Sequence, residues 1–346
     1  MSKSQTIEIE GRQLTLTNLD KILYPAAGFT KGQVIDYYAR IAPVLVPHLT
    51  EHPLTLKRYP GGVDQEFFFE KNATKHRPDW IQTTPIWSEG NQRTVHYLLA
   101  NNLATVVWMA NLAAIELHPS LSLAKDMECP RAMVFDLDPG PPANIIQCCQ
   151  VGVWLREIFD HFGLRSFPKT SGSKGLQIYV PLNTATNYQS TKSFAHALAR
   201  LLEDQHRDLV VSDMKKQLRV GKVLVDWSQN DEHKTTISLY SLRAREHPTV
   251  STPVQWEEVE QALKKKAPNL LVFEAGQVLK RVEKMGDLFA PLLTVKQKLP
   301  KFEAIEGAES DLEIAGRAEK PPTSRVKKAA SAKTAAPKRA RAKKKK

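Results

Sequence analysis

The heptapeptide VFDLDPG, residues 134–140, places two carboxylates one residue apart in an apolar run. Residues i and i+2 of a β-strand point to the same face, so Asp136 and Asp138 are expected to lie side by side at the end of a buried strand. Burial and mutual repulsion both oppose the charged forms of such a pair. The pattern therefore predicts a bound cation between the two carboxylates, or a proton on one of them.

A third acid, Asp226, ends a second apolar run in VLVDWSQN. Three carboxylates without clustered His or Cys favour a hard cation, Mg²⁺ or Mn²⁺, over zinc. Two such ions can stabilise the attacking and leaving oxygens of a phosphoryl displacement. The alternative is that these acids only cap loops or helices at strand ends, because a D-x-D pattern alone has low specificity.

The segment KTSGSKG, residues 169–175, predicts a glycine-rich turn between two strands. It lacks the order and spacing of a P-loop. Such a turn can aim backbone N–H groups at a phosphate, with the Ser171 hydroxyl and the Lys174 charge beside them. The alternative is an ordinary hairpin turn with a surface lysine.

Arginines follow in two further segments. Arg243 and Arg245 in SLRAR would share one face of a predicted strand, and Arg219 lies in QLRVGK. Arginine pairs can grip phosphate bidentately. The alternative is a solvated strand face.

Three consecutive aromatic residues occur in DQEFFFEKN, at positions 67–69. These three phenylalanines could stack on bases while the nearby Lys57, Arg58 and Lys71 hold phosphates. We predict nucleotide contact for Lys57 and contact with DNA or template for Arg58 and Arg219. The alternative is a core strand, and at least one of the three rings is expected in the core.

Helical and strand patterns alternate along the chain, which predicts an α/β or α+β fold. Thr30 and Gln33 form a capping-box pattern at the start of the first helix. FPKTSGSKGLQIYVPL predicts strand, turn, strand, and TTISLYSLRAR predicts another strand. Further helices are predicted over Leu98–Leu117, Ile145–Phe162, Thr191–Asp204, Glu257–Lys265 and Gln277–Met285.

Charge and composition point to a nucleic-acid partner and no membrane. From Arg317 to Lys346 there are thirteen Lys and Arg residues against one acid, so this segment carries a charge equal to the +12 of the whole chain. We expect residues 301–346 to be a disordered Lys/Ala/Pro-rich tail that binds phosphates, or alternatively a solubilising tail, behind a catalytic domain over residues 1–300. No apolar run approaches a bilayer span, and three cysteines without C-x-x-C spacing predict a reducing cytosol.

Taken in order, eight segments resemble one family. NLDKILYP, LTLKRYPGG, FFFEKN, NLAAIELHP, VFDLDPG, TSGSKGLQIYVPL, VLVDWSQN and SLYSLRAR are similar to the polymerase domain of bacterial DNA ligase D, from about Leu16 to Leu293. That domain belongs to the archaeo-eukaryotic primase superfamily. The resemblance implies a primase-polymerase fold, with an RRM-like catalytic sheet beside an N-terminal α/β module.

The resemblance also implies roles for individual residues, an activity and partners. The activity would be NTP or dNTP addition to a primer 3′-hydroxyl at gaps or double-strand breaks, with Mn²⁺ or Mg²⁺, in non-homologous end joining or other repair. The partners would be DNA with a 5′-phosphate, Ku and a separate ligase, in the bacterial cytoplasm near the nucleoid. The implied roles are metal binding by Asp136, Asp138 and Asp226; nucleotide contact by His118, Ser171, Lys174, Gln177 and Arg243; stacking by Phe68 and Phe69; and 5′-phosphate contact by Lys21 and Lys31.

Two departures from the family pattern leave a second hypothesis open. The family usually carries a histidine where this chain has Gln177, which can donate a hydrogen bond but carries no charge. The chain also lacks the K-x-D-G motif of a nucleotidyl-transferring ligase, which predicts a stand-alone polymerase. The alternative to an active polymerase is a catalytically weakened protein that binds or bridges DNA ends.

Overall fold

A computed structural model of the protein describes residues 4–300. The predicted basic tail, residues 301–346, lies outside the described residues. Helices and strands alternate along the described part, so the predicted mixed α/β class is confirmed. Between residues 4 and 300, no helix combines the length and apolarity needed to cross a bilayer.

The elements have the following bounds. The strands are β1 (Ser4–Ile9), β2 (Arg12–Thr17), β3 (Ile22–Tyr24), β4 (Phe29–Thr30), β5 (Leu54–Arg58), β6 (Phe68–Glu70), β7 (Thr83–Ser88), β8 (Arg93–Leu98), β9 (Ala114–Pro119), β10 (Ser122–Leu123), β11 (Asp126–Pro130), β12 (Ala132–Pro139), β13 (Phe167–Thr170), β14 (Leu176–Pro181), β15 (Val210–Val211) and β16 (Val223–Asp226). The helices are α1 (Lys31–Leu49), α2 (Leu103–Asn111), α3 (Ile145–His161), α4 (Tyr188–Gln205), α5 (Trp256–Lys265), α6 (Ala275–Met285) and α7 (Ala290–Thr294).

One five-stranded sheet, which we call the acid-bearing sheet, has the order β13-β14-β12-β16-β15. Its neighbouring strands are antiparallel except β15 and β16. Alternation along β12 buries Met133, Phe135 and Leu137 in a core shared with α3 and α4. Because successive side chains point to opposite faces, Asp136 and Asp138 lie on the face away from those helices.

A second sheet, the N-terminal sheet, has the order β6-β5-β8-β7, with β9 also paired to β5. It shares a separate core with α1 and α2. Helix α1 begins at the predicted capping box, in which Thr30 accepts from the Gln33 N–H and the Gln33 side chain accepts from the Thr30 N–H. The helix is amphipathic, and its inner face packs into this core.

Two predictions of secondary structure were wrong. The helix predicted over Leu98–Leu117 is confined to α2, because Ala113 takes a left-handed conformation with φ of 56° and the chain reverses into β9. TTISLYSLRAR is irregular, with Tyr240 at φ of 60°. The N–H of Ser238 in this segment donates to the Leu117 carbonyl at 2.9 Å, which holds the segment against β9.

Candidate active site

A row of polar side chains crosses four strands of the acid-bearing sheet. Asp136 on β12 lies opposite Gln177 on β14 and opposite Asp226 on β16, while Gln177 lies opposite Lys169 on β13. Partners in neighbouring strands share a face at a spacing of about 4.8 Å. The row therefore reads Lys169, Gln177, Asp136 and Asp226, with Asp138 beside it on the same face.

The two acids of β12 repel each other, as predicted. Burial and the nearby Asp138 together raise the pKa of Asp136 to about 7, against the lowering effect of a hydrogen bond from Gln177. Burial and Asp226 also raise the pKa of Asp138, and the Arg219 guanidinium lowers it. Arg219 itself donates to the Met214 carbonyl at 2.6 Å. The structure thus brings Arg219 to the acids, as a countercharge beside Asp138.

Asp226 belongs to this row, and its carboxylate also accepts hydrogen bonds from the residues that follow it. Oδ1 accepts from the Ser228 N–H at 2.9 Å and from the Ser228 hydroxyl at 2.6 Å, and Oδ2 accepts from Gln229 at 3.3 Å. Across residues 4–300, no three His, Cys, Asp or Glu side chains are grouped closely enough to hold a metal ion. The oxygen-only donors still suit Mg²⁺ or Mn²⁺, and a cation would relieve the repulsion between Asp136 and Asp138.

The predicted glycine-rich turn joins β13 to β14. The Ser171 hydroxyl accepts from the N–H groups of Ser173 and Gly175, at 3.2 and 3.0 Å, so it closes the turn from inside. Lys174 at the tip is exposed. The turn therefore presents a lysine to solvent, whereas the hydroxyl of Ser171 is used to shape the backbone.

Both arginines of SLRAR reach this turn although their segment is not a strand. Arg243 donates through Nη1 to the Ser171 carbonyl at 2.5 Å, and Arg245 donates to the Ser173 hydroxyl. Lys174 belongs to the same turn and lines the same cavity as both arginines, so three cationic residues meet at one loop. This is the arrangement expected for a polyanionic ligand.

A cavity of about 430 Å³ collects these groups. Among the side chains that line it are Asp136, Asp138, Lys174, Gln177, Arg219 and Arg243. The cavity is therefore lined by both carboxylates and basic groups, which suits a ligand of phosphates with divalent cations. Gln177 is buried, and its Oε1 atom has no hydrogen-bond partner among residues 4–300.

The aromatic residues form an exposed group beside the cavity. Phe67, Phe68 and Phe69 are 49%, 46% and 56% exposed, so the prediction of a core ring among them was wrong. The Lys57 ammonium lies 4.0 Å from the centroid of the Phe67 ring. His118, which lines the cavity, packs edge-to-face on Phe69 at a centroid distance of 6.3 Å. Exposed rings beside a basic cavity can stack on bases.

The three remaining basic residues that were predicted to contact DNA differ in whether they already have partners within the protein. Lys21 is exposed. Lys31 is buried, and its ammonium donates a hydrogen bond to the Thr17 carbonyl at 2.6 Å. Burial and the neighbouring Lys21 lower the pKa of Lys31 to about 8. Arg58 pairs with Glu70 at 2.5 Å and donates to the Leu112 carbonyl at 2.9 Å, so its charge is already compensated within the N-terminal sheet.

Comparison with known proteins identifies the fold. The family model described as LigD, primase-polymerase domain, matches residues 30–289. The chain belongs to the LigD primase-polymerase domain family. A solved structure, the polymerase domain from Mycobacterium tuberculosis ligase D in complex with DNA, matches with a TM-score of 0.76 and 38% identity, covering 82% of this chain and 99% of that one. The resemblance and the primase-polymerase fold predicted from the sequence are confirmed, and the chain is a nucleotidyltransferase of the polymerase type.

Full-length relatives of this primase-polymerase domain are much longer. The multifunctional non-homologous end joining protein LigD of Mycolicibacterium smegmatis is 39% identical over 301 residues, which cover 86% of this chain and 38% of that protein. The bifunctional non-homologous end joining protein LigD of Bacillus subtilis is 32% identical, over 79% of this chain and 43% of that protein. This chain therefore spans about two fifths of the relatives that it matches.

Two buried charged residues of this primase-polymerase domain were missed by sequence reasoning. Lys169 is fully buried, donates to the Ser251 hydroxyl at 2.6 Å, and occupies the end of the polar row. Glu116 is 3% exposed and lies two residues before His118 on β9. Glu116 had a signal in the sequence, a single charge in the apolar run LAAIELHP, because such a charge needs a buried partner. Lys169 had no such signal, because Thr170 and Ser171 follow it.

Proposed function

We propose that this chain adds NTP or dNTP units to a primer 3′-hydroxyl at gaps or double-strand breaks in DNA, as part of non-homologous end joining or another repair process. The observation that supports this best is the single cavity that is lined by Asp136 and Asp138 together with Lys174 and Arg243. Nucleotidyl transfer needs acidic ligands for divalent ions next to basic groups for a triphosphate. The relatives are non-homologous end joining proteins, which supports the same process.

Each element would have a distinct task. Asp136, Asp138 and Asp226 would hold Mn²⁺ or Mg²⁺, two ions in all, which supply charge stabilisation for the attacking and leaving oxygens. Lys174 and Arg243 would bind the triphosphate, and the Ser171 hydroxyl would keep their turn in shape. The amide of Gln177, which hydrogen-bonds Asp136, would fix the orientation of that carboxylate.

The nucleic acid would occupy the surface beside the cavity. Phe68 and Phe69, both exposed, would stack on the nucleotide base and the template. Lys21 and Lys31 would contact a 5′-phosphate across a gap, and the tail of residues 301–346 would add sequence-independent affinity. Ku and a separate DNA ligase would be the protein partners, since the relatives that carry this domain are multifunctional or bifunctional end-joining proteins.

Primer extension on gapped DNA tests the proposal. With Mn²⁺ or Mg²⁺ the native protein is expected to add nucleotides, and Asp226→Asn to lose about 10³-fold in rate because a metal contact worth several kcal/mol disappears. The control is equilibrium binding of the same DNA, which should change little. Native protein that binds gapped DNA but never extends the primer would instead support the catalytically weakened end-bridging protein.

A pH series tests the 5′-phosphate contact. The Lys31 ammonium, with a pKa of about 8, is charged at pH 7 and mostly neutral at pH 9, whereas the 5′-phosphate is doubly charged over that range. The preference for gapped DNA with a 5′-phosphate over gapped DNA without it should therefore fall about tenfold from pH 7 to pH 9. Lys31→Arg, which stays charged, should retain the preference at pH 9. A native preference that does not change with pH would exclude Lys31 from the contact.

A further inference from the structure

Glu116 lies at the point where the N-terminal sheet meets the cavity. It occupies β9, with His118 on the same face two residues later and Lys57 directly opposite on β5. Its side chain is almost completely buried. A buried carboxylate between these basic residues is held by its partners rather than by water.

Three hydrogen-bond donors and the Lys57 ammonium surround the Glu116 carboxylate. Oε1 accepts from Arg243 Nε and from the Ala244 N–H, both at 3.1 Å. Oε2 lies 3.1 Å from His118 Nε2 and 3.9 Å from Lys57 Nζ. Burial alone would raise the pKa of Glu116, but the hydrogen bond from His118 and the charge of Arg243 outweigh it, so the pKa lies well below its usual value. Glu116 is thus an ionised hub for three basic side chains.

Away from this hub, the three basic side chains contact two different groups, the glycine-rich turn and the exposed phenylalanines. Arg243 uses Nε on Glu116 and Nη1 on Ser171, while its Nη2 has no hydrogen bond to any residue from 4 to 300. Lys57 lies against the ring of Phe67, and His118 packs on Phe69. One carboxylate therefore connects the phosphate side of the cavity with the aromatic side.

We infer that Glu116 is the positioning residue that holds Arg243, His118 and Lys57 in one arrangement around the incoming nucleotide. The inference rests on the proposed nucleotide site and deepens it. The carboxylate touches no substrate in this role. It fixes the guanidinium plane of Arg243 and keeps the Nε2 atom of His118 as the hydrogen-bond donor.

The variant Glu116→Gln distinguishes two roles of Glu116, the positioning of the basic side chains and the mere offsetting of their charge. The variant keeps the size of the side chain but removes its negative charge, so the cavity becomes more positive. If Glu116 only offset charge, a triphosphate would bind the variant equally well or more tightly. If Glu116 positions the basic side chains, binding of a nucleoside triphosphate with Mn²⁺ should weaken about 10- to 100-fold in spite of the added positive potential.

A double-mutant cycle and a matched control complete the design. Because Glu116 would act largely through Arg243, the Glu116→Gln, Arg243→Ala double variant should bind the triphosphate about as poorly as Arg243→Ala alone. The control is Asp287→Asn, which removes another largely buried carboxylate, 2.7 Å from His48 Nε2. It should lose thermal stability without the selective loss of triphosphate binding.

The outcomes distinguish this inference from the proposed function. Triphosphate binding is measured by calorimetry, and the tautomer of His118 by ¹⁵N NMR. Native protein that binds triphosphate but never extends a primer would refute the polymerase proposal alone. Unchanged or tighter binding by Glu116→Gln, or multiplicative losses in the cycle, would overturn the role of Glu116. Native protein that binds no triphosphate would overturn both.

Discussion

Asp136→Asn is expected to abolish nucleotide addition while making the metal-free protein more stable at neutral pH. Burial and the charge of Asp138 both disfavour the ionised form of Asp136. They raise its pKa more than the attraction from Lys169 lowers it. An asparagine of the same size removes the buried charge and the repulsion together. The gain in the free energy of unfolding should be on the order of 2 kcal/mol at pH 8.

The pH dependence of this stability has a definite sign. Asp136 has a pKa of about 7 in the folded protein, whereas an unfolded aspartate has one of about 3.9. Between these values the unfolded chain releases its proton first, so the stability of the native protein falls as the pH rises from about 4 to 7 and then stays low. The advantage of Asp136→Asn should grow across the same interval.

Denaturant unfolding at pH 5 and pH 8, with and without Mn²⁺, measures both effects. Mn²⁺ should stabilise the native protein by binding the folded state, and should stabilise Asp136→Asn much less. Asp138→Asn is the matched control, because this acid is more exposed and its removal should increase stability less. If Asp136→Asn were less stable than the native protein at pH 8 without metal, repulsion at the acid pair would be refuted.

The acid pair was predictable from sequence because strand alternation alone determines it. Met133, Phe135 and Leu137 specify the buried face of β12, so Asp136 and Asp138 must share the other face. The turn between β13 and β14 was predictable for a similar reason, since its glycines and serines interrupt two apolar runs. Local patterns of this kind do not depend on distant parts of the chain.

The role of Glu116 was hidden by a wrong assignment of secondary structure. In the helix predicted over Leu98–Leu117, Glu116 would stand near the end and would not share a face with His118. In the observed strand β9 the two side chains share one face, and Lys57 lies opposite. The left-handed residue Ala113, which ends the helical region, carries no turn signal of the Gly or Asn type.

Long-range contacts explain the other differences. Arg243 was expected on a regular strand, yet it meets Ser171 and Glu116 from an irregular segment held by hydrogen bonds to β9 and to residues 249–251. Asp226 lies opposite Asp136 as one of the acids of the sheet, but its carboxylate also accepts hydrogen bonds from Ser228 and Gln229, which strand alternation does not predict. The partners of Arg243 are distant in sequence, so no local pattern shows them. The donors to Asp226 are local, but strand alternation does not indicate them.

Gly175→Ala is expected to disrupt the active site by displacing the phosphate-binding turn from β12. A Cβ atom at Gly175 would lie 2.1 Å from the carbonyl oxygen of Leu137, the residue between Asp136 and Asp138. A backbone oxygen within a sheet cannot rotate away as a side chain can, so the turn must move. Overpacking of this kind costs about 1–3 kcal/mol, and occasionally more.

The loss of activity should exceed what this loss of stability explains. Gly175 also donates its N–H to the Ser171 hydroxyl at 3.0 Å, so a displaced turn changes the position of Lys174 relative to the acids. A displacement of about 1 Å can cost 10²-fold in rate. Primer extension at a temperature where the variant is still folded, with the folded fraction measured by circular dichroism, separates the two effects.

Gly276→Ala is the matched control for Gly175→Ala, because both substitutions add one methyl group. Gly276 lies inside α6, where an added Cβ would meet no atom within 4 Å. Alanine there should stabilise the helix by up to about 1 kcal/mol and leave nucleotide addition unchanged. The two variants therefore should move stability in opposite directions, and only Gly175→Ala should affect the chemistry. Near-native extension by Gly175→Ala would mean that close contact between the turn and β12 is not required for nucleotide addition.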